Sequence, residues 1–122
     1  MKKILVVYDS FDDLKELETA LTRGGFIVGG VSKADRVFEL LDKIHYDLVI
    51  LDIHMPSLSG YSLMKMLKEK HGRDLKIGFA TITPKNNVEH MDQVDLFIQK
   101  PFDSNQVVKQ IKDLFLKDAI VK

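Results

Sequence analysis

The chain has 122 residues, somewhat fewer than the ~150 residues of an average domain. Its 18 basic and 18 acidic side chains cancel, which argues against binding to nucleic acid or a membrane surface by net charge, and the lack of cysteine excludes disulfides and thiolate metal sites. Its apolar runs are far shorter than the ~20 residues of a membrane span or the ~7–15-residue core of a signal peptide. We therefore expect a single domain over residues 1–122, in the cytoplasm, with neither nucleic acid nor membrane as a direct partner.

Five short apolar segments predict β-strands. Most are runs of aliphatic and β-branched residues without alternation, which is typical of strands buried on both faces of a parallel sheet. The fourth segment is the weakest prediction because it contains an interior glycine. In chain order the segments are Ile4–Val7, Phe26–Val28, Leu48–Leu51, Ile77–Ala80 and Leu96–Ile98.

Helical spacing of apolar residues separates these strands. The clearest stripes are Phe11 to Leu21, Val37 to Ile44, Leu63 to Leu67 and Val107 to Phe115. The segment from Asn87 to Gln93 has room for only about two turns of helix. A strand–helix alternation repeated five times predicts right-handed crossovers and an α/β fold with a doubly wound, parallel, five-stranded sheet.

Polar residues follow the ends of four of these strands: Asp9, Asp52, Thr81 and Lys100. Ligands of open α/β sheets bind beyond the carboxyl ends of the strands, so these side chains are expected on one rim. Each residue alone is an ordinary turn residue, helix cap or surface charge. Together, two carboxylates would repel each other and favour a divalent cation such as Mg²⁺, while the ammonium and the hydroxyl could hold an anion. The set suits a phosphoryl group, whose transfer needs positioning and charge neutralisation.

The pattern resembles the receiver domain of two-component response regulators, of the chemotaxis-regulator type. The resemblance extends from Lys2 to about Lys117, and it rests on Leu51-Asp52-Ile53-His54-Met55-Pro56, Gly60, Thr81 and Lys100-Pro101-Phe102. It implies a flavodoxin-like (βα)₅ fold with strand order 2-1-3-4-5 and a cis Lys100–Pro101 bond. It also implies a signalling domain that is not itself an enzyme.

The resemblance further implies a role for each residue at the rim. Asp52 would accept a phosphoryl group from a histidine kinase or a phosphotransfer protein. Thr81 and Lys100 would contact the phosphoryl oxygens. Mg²⁺ would be held by Asp9, Asp52 and the backbone carbonyl of His54.

Signal output is implied at a switch formed by Thr81 and the aromatic residue Phe97. A downstream protein would bind the face made by the fourth helix, strand 5 and the last helix. Phosphorylation would act there by shifting the Thr81–Phe97 region between two states.

Three features depart from the family's pattern. Two adjacent acids usually follow strand 1, whereas here Tyr8 precedes Asp9. Ile82 stands where a small residue is usual, and the stretch between Thr81 and Lys100 is shorter than usual. These departures favour an alternative function, a receiver-like module that binds proteins without being phosphorylated. The presence of all four polar residues at the rim weighs against it.

Other α/β functions fit the sequence less well. A flavodoxin would need a phosphate cradle rich in glycine and hydroxyl groups after strand 1, but residues 9–13 are largely acidic. A dinucleotide site would need a G-x-G-x-x-G motif there, and none follows strand 1. A phosphatase with its nucleophile after strand 1 would need a second acid two residues later, where Phe11 stands.

Overall fold

The computed structural model describes residues 1–8, 11–55, 58–72 and 75–121, without the side chains of residues 11–14 and 118–121. The described residues form five strands and four helices, and a helix follows every strand except β4. The strands are β1 Lys3–Val7, β2 Ile27–Val31, β3 Leu48–Asp52, β4 Lys76–Thr81 and β5 Leu96–Gln99, and the helices are α1 Phe11–Arg23, α2 Ala34–Lys43, α3 Gly60–His71 and α4 Ser104–Val121. Among these helices, none is both long enough and apolar enough to cross a bilayer.

The sheet has the predicted topology. Its strands are all parallel and lie in the order β2-β1-β3-β4-β5, which confirms the doubly wound α/β fold. Every residue of the central strand β3 is buried, as its continuous apolar run indicated. Val7 lies opposite Leu51, so Tyr8 and Asp52 follow at the same edge of the sheet.

Two hydrophobic cores lie on the two faces of the sheet. Leu5 and Val7 pack with residues of α2 and α3, whereas Ile4, Val6 and Tyr8 pack with residues of α1 and α4. This division follows from the alternation of side chains along β1. Tyr8 therefore belongs to the core between the sheet and α1 and α4, where it is fully buried.

No α-helix forms between β4 and β5, so the expectation of about two turns of helix over Asn87–Gln93 is wrong. Two short 3₁₀ turns replace it, Lys85–Asn87 and Met91–Gln93. His90 between them takes a left-handed conformation with φ 60°, which interrupts any helix. A segment this short gains too few backbone hydrogen bonds to offset the cost of helix nucleation.

Tertiary contacts order this segment instead. The backbone N–H of Glu89 donates a hydrogen bond to the Tyr61 hydroxyl at 2.9 Å. The Tyr61 ring packs edge-on against Phe79 and against His90, with ring centroids 5.5 Å and 5.4 Å away. We use the term output face for the surface made by the two 3₁₀ turns, β5 and α4, where the sequence predicts that a downstream protein binds.

Candidate functional site

Asp52 ends β3 as a nearly buried carboxylate, with 6% of the residue exposed. Its Oδ1 accepts a hydrogen bond from the backbone N–H of His54 at 3.0 Å. Nζ of Lys100 lies 3.4 Å from its Oδ2, and the peptide bond that follows Lys100 is cis, as predicted. The structure thus brings together two of the residues that the sequence placed at one rim.

Thr81 is the fully buried last residue of β4, directly after Ala80, which lies opposite Asp52. Its hydroxyl oxygen accepts a hydrogen bond from the backbone N–H of Thr83 at 3.1 Å. Oγ1 of Thr83 in turn shares a hydrogen bond of 2.6 Å with Nε2 of His54. This pair joins the loops that follow β3 and β4. Sequence reasoning considered only the backbone carbonyl of His54 and missed its ring.

The side chain of Gln99 links the end of β4 to the end of β5. Its Nε2 donates to the carbonyl oxygens of Thr81 and Ile82, both at 3.1 Å, and lies 3.4 Å from that of Lys100. The backbone N–H of Lys100 also donates to the Thr81 carbonyl at 2.8 Å. These bonds hold the start of the Lys100 side chain against the end of β4. The side chain of Ile82 is mostly exposed to solvent.

Tyr8 contacts the lysine of the site. The residue is fully buried, and its backbone N–H donates to the Val31 carbonyl at 3.1 Å. Nζ of Lys100 lies 4.5 Å from the centroid of the Tyr8 ring. A cation at this distance from an aromatic face is attracted by the ring's quadrupole. Sequence reasoning placed Tyr8 beside the predicted metal site but did not foresee this contact.

Gly60, the glycine of the motif, lets α3 start against the backbone of β3. A Cβ atom at this position would lie 2.5 Å from the carbonyl oxygen of Asp52 and 2.8 Å from Cα of Ile53. The backbone N–H of Gly60 donates to the Ile53 carbonyl at 2.9 Å, and Ser59 caps the helix through the backbone N–H of Ser62. The backbone that carries Asp52 therefore depends on the lack of a side chain at residue 60.

The donor chemistry of the predicted metal ligands fits Mg²⁺, which prefers carboxylate and carbonyl oxygens. Asp52 and His54 lie together at the end of β3, whereas Asp9 lies outside the described residues. Within the described ranges no three His, Cys, Asp or Glu residues form a metal-binding group. A metal ion at this rim would therefore require Asp9 and the backbone carbonyl of His54 in addition to Asp52.

Phe97, the predicted switch aromatic, lies half-buried in β5 opposite Phe79. It packs at the margin of the core between the sheet and α2 and α3. Its carbonyl accepts a bond from Nε2 of Gln110 at 3.5 Å, which joins β5 to α4. Phe97 is thus part of the output face.

The amino-acid sequence is similar to those of known proteins. A family model described as the response regulator receiver domain matches residues 4–112. The chain is 28% identical over 117 residues to the probable transcriptional regulatory protein SilR of Salmonella typhimurium and 29% identical over 113 residues to the sensory transduction protein BceR of Halalkalibacterium halodurans. Both alignments cover 92% of this chain but 50% and 49% of the relatives, so the chain spans about half of their length.

Solved structures of response regulators have the same fold. The response regulator TrrA of Thermotoga maritima, in complex with Mg(2+)-BeF, is 28% identical with a TM-score of 0.84, and the match covers 93% of this chain and 99% of that one. A response regulator receiver domain protein from Clostridium thermocellum has the same fold, with a TM-score of 0.85, 20% identity and complete coverage of both chains. Because the family match extends over most of its length, this chain belongs to the response regulator receiver domain family.

Proposed function

We propose that Asp52 is the phosphoacceptor of this receiver domain and takes its phosphoryl group from a histidine kinase or a phosphotransfer protein. Acceptance of a phosphoryl group on an aspartate is the general function of the family. The observation that carries the assignment is the environment of Asp52: a nearly buried carboxylate at the end of the central strand, 3.4 Å from the ammonium of Lys100.

The proposed reaction is a direct transfer to the carboxylate. One oxygen of Asp52 forms a bond to phosphorus while the bond from phosphorus to the donor's imidazole nitrogen breaks, and its electron pair stays on that nitrogen. The ammonium of Lys100 and the hydroxyl of Thr81 would hold the phosphoryl oxygens. The Thr81 hydroxyl accepts a bond from Thr83 and still has its own hydrogen to donate.

Mg²⁺ is the proposed cofactor, held by Asp9, Asp52 and the backbone carbonyl of His54. When bound, it would neutralise charge on the phosphoryl oxygens. TrrA, which is similar to this chain, was crystallised with Mg(2+)-BeF. Tyr8 supplies no negative charge where an acid is usual, so we propose a weaker metal site than is typical of the family.

The proposed output is a rearrangement around Thr81 and Phe97 that alters the output face for a downstream protein. Gln99 supports this proposal because its side chain donates to the carbonyl oxygen of Ile82 in the loop after β4 and lies 3.4 Å from that of Lys100, which follows β5. The proposed role is that of a phosphoacceptor in the cytoplasm rather than of an enzyme in its own right.

Mass spectrometry after incubation with acetyl phosphate and Mg²⁺ tests the assignment. We expect the mass of one phosphoryl group to be added to the peptide that contains Asp52, and no addition in Asp52→Asn. Asp92→Asn, an exposed acid in the second 3₁₀ turn, is the matched control and should be labelled like the wild type. Labelling of Asp52→Asn at the native rate would place the acceptor elsewhere. A wild type that takes up no phosphoryl group would favour the phosphorylation-independent interaction module.

A further inference from the structure

We infer that Tyr8 is a positioning residue for Lys100: the face of its buried ring holds the lysine ammonium beside Asp52. The inference deepens the proposed function, on which its importance for phosphorylation rests. The positioning itself concerns the unphosphorylated protein and can be measured without any phosphoryl donor.

The first observation is the contact between ring and ammonium. Nζ of Lys100 lies 4.5 Å from the centroid of the Tyr8 ring, well within the ~6 Å over which such contacts are attractive. The Lys100 side chain is only 10% exposed, so its ammonium is largely withdrawn from water. Loss of hydration strengthens the attraction between a cation and an aromatic face.

The second observation is the distance from Lys100 to Asp52. A lysine ammonium drawn fully onto a carboxylate approaches to about 2.7–2.9 Å, whereas Nζ of Lys100 lies 3.4 Å from Oδ2 of Asp52. At this distance the carboxylate alone does not fix the position of the ammonium. Nζ of Lys100 thus lies within reach of both the Tyr8 ring and the Asp52 carboxylate.

The ring is a fixed partner because it belongs to the core. Tyr8 follows directly on β1, which pairs with both β2 and β3, and its backbone N–H is bonded to Val31. The ring itself is fully buried in the core between the sheet and α1 and α4. A long lysine side chain has many rotamers, and a rigid ring face beneath its ammonium reduces that freedom.

A tyrosine at residue 8 attracts the ammonium of Lys100 more strongly than it attracts a metal ion. An aromatic face attracts an ammonium, whereas Mg²⁺ retains its water and binds oxygen ligands. An acid at residue 8 would attract both cations. Tyr8 therefore retains a contact with Lys100 without adding a negative charge to the proposed metal site.

The contact also bears on phosphoryl transfer. When Asp52 becomes an acyl phosphate, its carboxylate charge is lost and negative charge lies instead on the phosphoryl oxygens. The attraction of the Tyr8 ring for Lys100 does not depend on that change. The ammonium is therefore kept at the rim where those oxygens arrive.

Nuclear magnetic resonance of the unphosphorylated protein tests the positioning directly. We expect a nuclear Overhauser effect between the ring protons of Tyr8 and the Hε protons of Lys100, and an upfield ring-current shift of those Hε signals. Tyr8→Phe should retain the shift, and Tyr8→Leu should abolish it. Phe26→Leu is the matched control because it removes a ring from the same core that packs against Phe115.

Phosphorylation rates with acetyl phosphate give the second readout. Tyr8→Leu should be about 3- to 30-fold slower than the wild type, the range that corresponds to one cation–π contact. Tyr8→Phe should recover most of the rate, and Phe26→Leu should show how much of the change is due to a weakened core.

Either of two results overturns the inference: no Overhauser effect in the wild type, or Tyr8→Phe behaving as Tyr8→Leu in both readouts. The first measurement needs no variant, so it stands even if Tyr8→Leu does not fold. If the Lys100 signals respond as expected but Asp52 takes up no phosphoryl group, the positioning is upheld and the proposed function fails.

Discussion

Nζ of Lys100 lies 3.4 Å from Oδ2 of Asp52, although 48 residues separate the two along the chain. The two side chains are 10% and 8% exposed, so the pair is largely withdrawn from water. Lys100 follows β5 at the edge of the sheet and Asp52 ends the central strand β3. A change in the charge of Asp52 therefore alters the electrostatic interaction with Lys100 at the end of β5, and β5 is part of the output face.

Lys100→Met tests this coupling. The variant should fold cooperatively, because the lost group lies at the rim, but should be less stable by about 1–3 kcal/mol because Asp52 loses a charged partner. Phosphorylation of Asp52 should then cause little change at Phe97. Urea unfolding and the amide spectrum with and without acetyl phosphate measure both effects. Lys109→Met, an exposed lysine of α4, is the control. Loss of cooperative folding in Lys100→Met would indicate a structural role instead.

Gly60→Ala should weaken both the fold and the site. The added Cβ would lie 2.5 Å from the Asp52 carbonyl oxygen, which belongs to a central strand and cannot swing aside. We expect a loss of about 1–3 kcal/mol in stability, as for other overpacked sites, and slower phosphorylation of Asp52. Urea unfolding and labelling with acetyl phosphate measure these effects, with Lys65→Ala on the exposed side of α3 as control. A Gly60→Ala variant as stable and as reactive as the wild type would contradict this account.

The sequence predicted the parts of the molecule that rest on local pattern. The apolar run before Asp52 indicated a central buried strand, and the positions of Asp52 and Lys100 after their strands indicated a common rim. The common rim follows because the carboxyl ends of the strands meet at one edge in any parallel sheet. The assigned roles of these residues remain predictions.

The contacts of the site could not be predicted in the same way. Sequence shows that Tyr8 and Lys100 reach the same edge, but the contact between ring and ammonium depends on rotamers selected by packing. The hydrogen bonds of Gln99 depend on the path of two loops. A polar residue at the end of an apolar strand did, however, indicate a side chain that could bond to the rim. The fourth helix was an expectation from the fold, and too few helical hydrogen bonds were available to overcome the interruption at His90.

The segment between β4 and β5 should exchange its amide hydrogens faster than α4. Its hydrogen bonds are those of isolated turns, such as the 3.5 Å bond from the Val94 N–H to the Met91 carbonyl. The amide of Glu89 should be an exception because it is bonded to the Tyr61 hydroxyl. Tyr61→Phe should accelerate exchange at Glu89 and leave α4 unchanged. Protection from residue 85 to 93 equal to that of α4 would contradict this expectation.

Because of Tyr46, the stability of the folded protein should decrease at alkaline pH. Its burial raises the pKa of the phenol above the ordinary value of ~10. The folded protein therefore retains this proton longer than the unfolded chain does. The stability that the neutral, buried phenol provides is fully present below about pH 10, and it is lost as pH rises through the raised pKa of the folded state. Urea unfolding at about pH 8 and about pH 11 should show a larger loss in the wild type than in Tyr46→Phe, and equal losses would contradict the argument.

Tyr8→Asp should strengthen the proposed Mg²⁺ site and weaken the core. One added charge a few ångströms from the metal contributes on the order of 1–4 kcal/mol, depending on the effective dielectric, or about one to three orders of magnitude in affinity. Because Tyr8 is fully buried, the substitution also leaves a cavity and desolvates a carboxylate, so the metal-free variant should unfold at a lower temperature.

Mg²⁺ should restore part of that stability in Tyr8→Asp, because a ligand that binds the folded state alone stabilises it. Tyr8→Asn is the matched control, since it loses the same ring without adding a charge and should gain little from Mg²⁺. Thermal unfolding and calorimetric titration with Mg²⁺ distinguish the two variants. If Tyr8→Asp and Tyr8→Asn bind Mg²⁺ equally, the charge at residue 8 has no part in metal binding. In that case the lower stability of both variants would reflect only the loss of the ring that packs in the core and contacts Lys100.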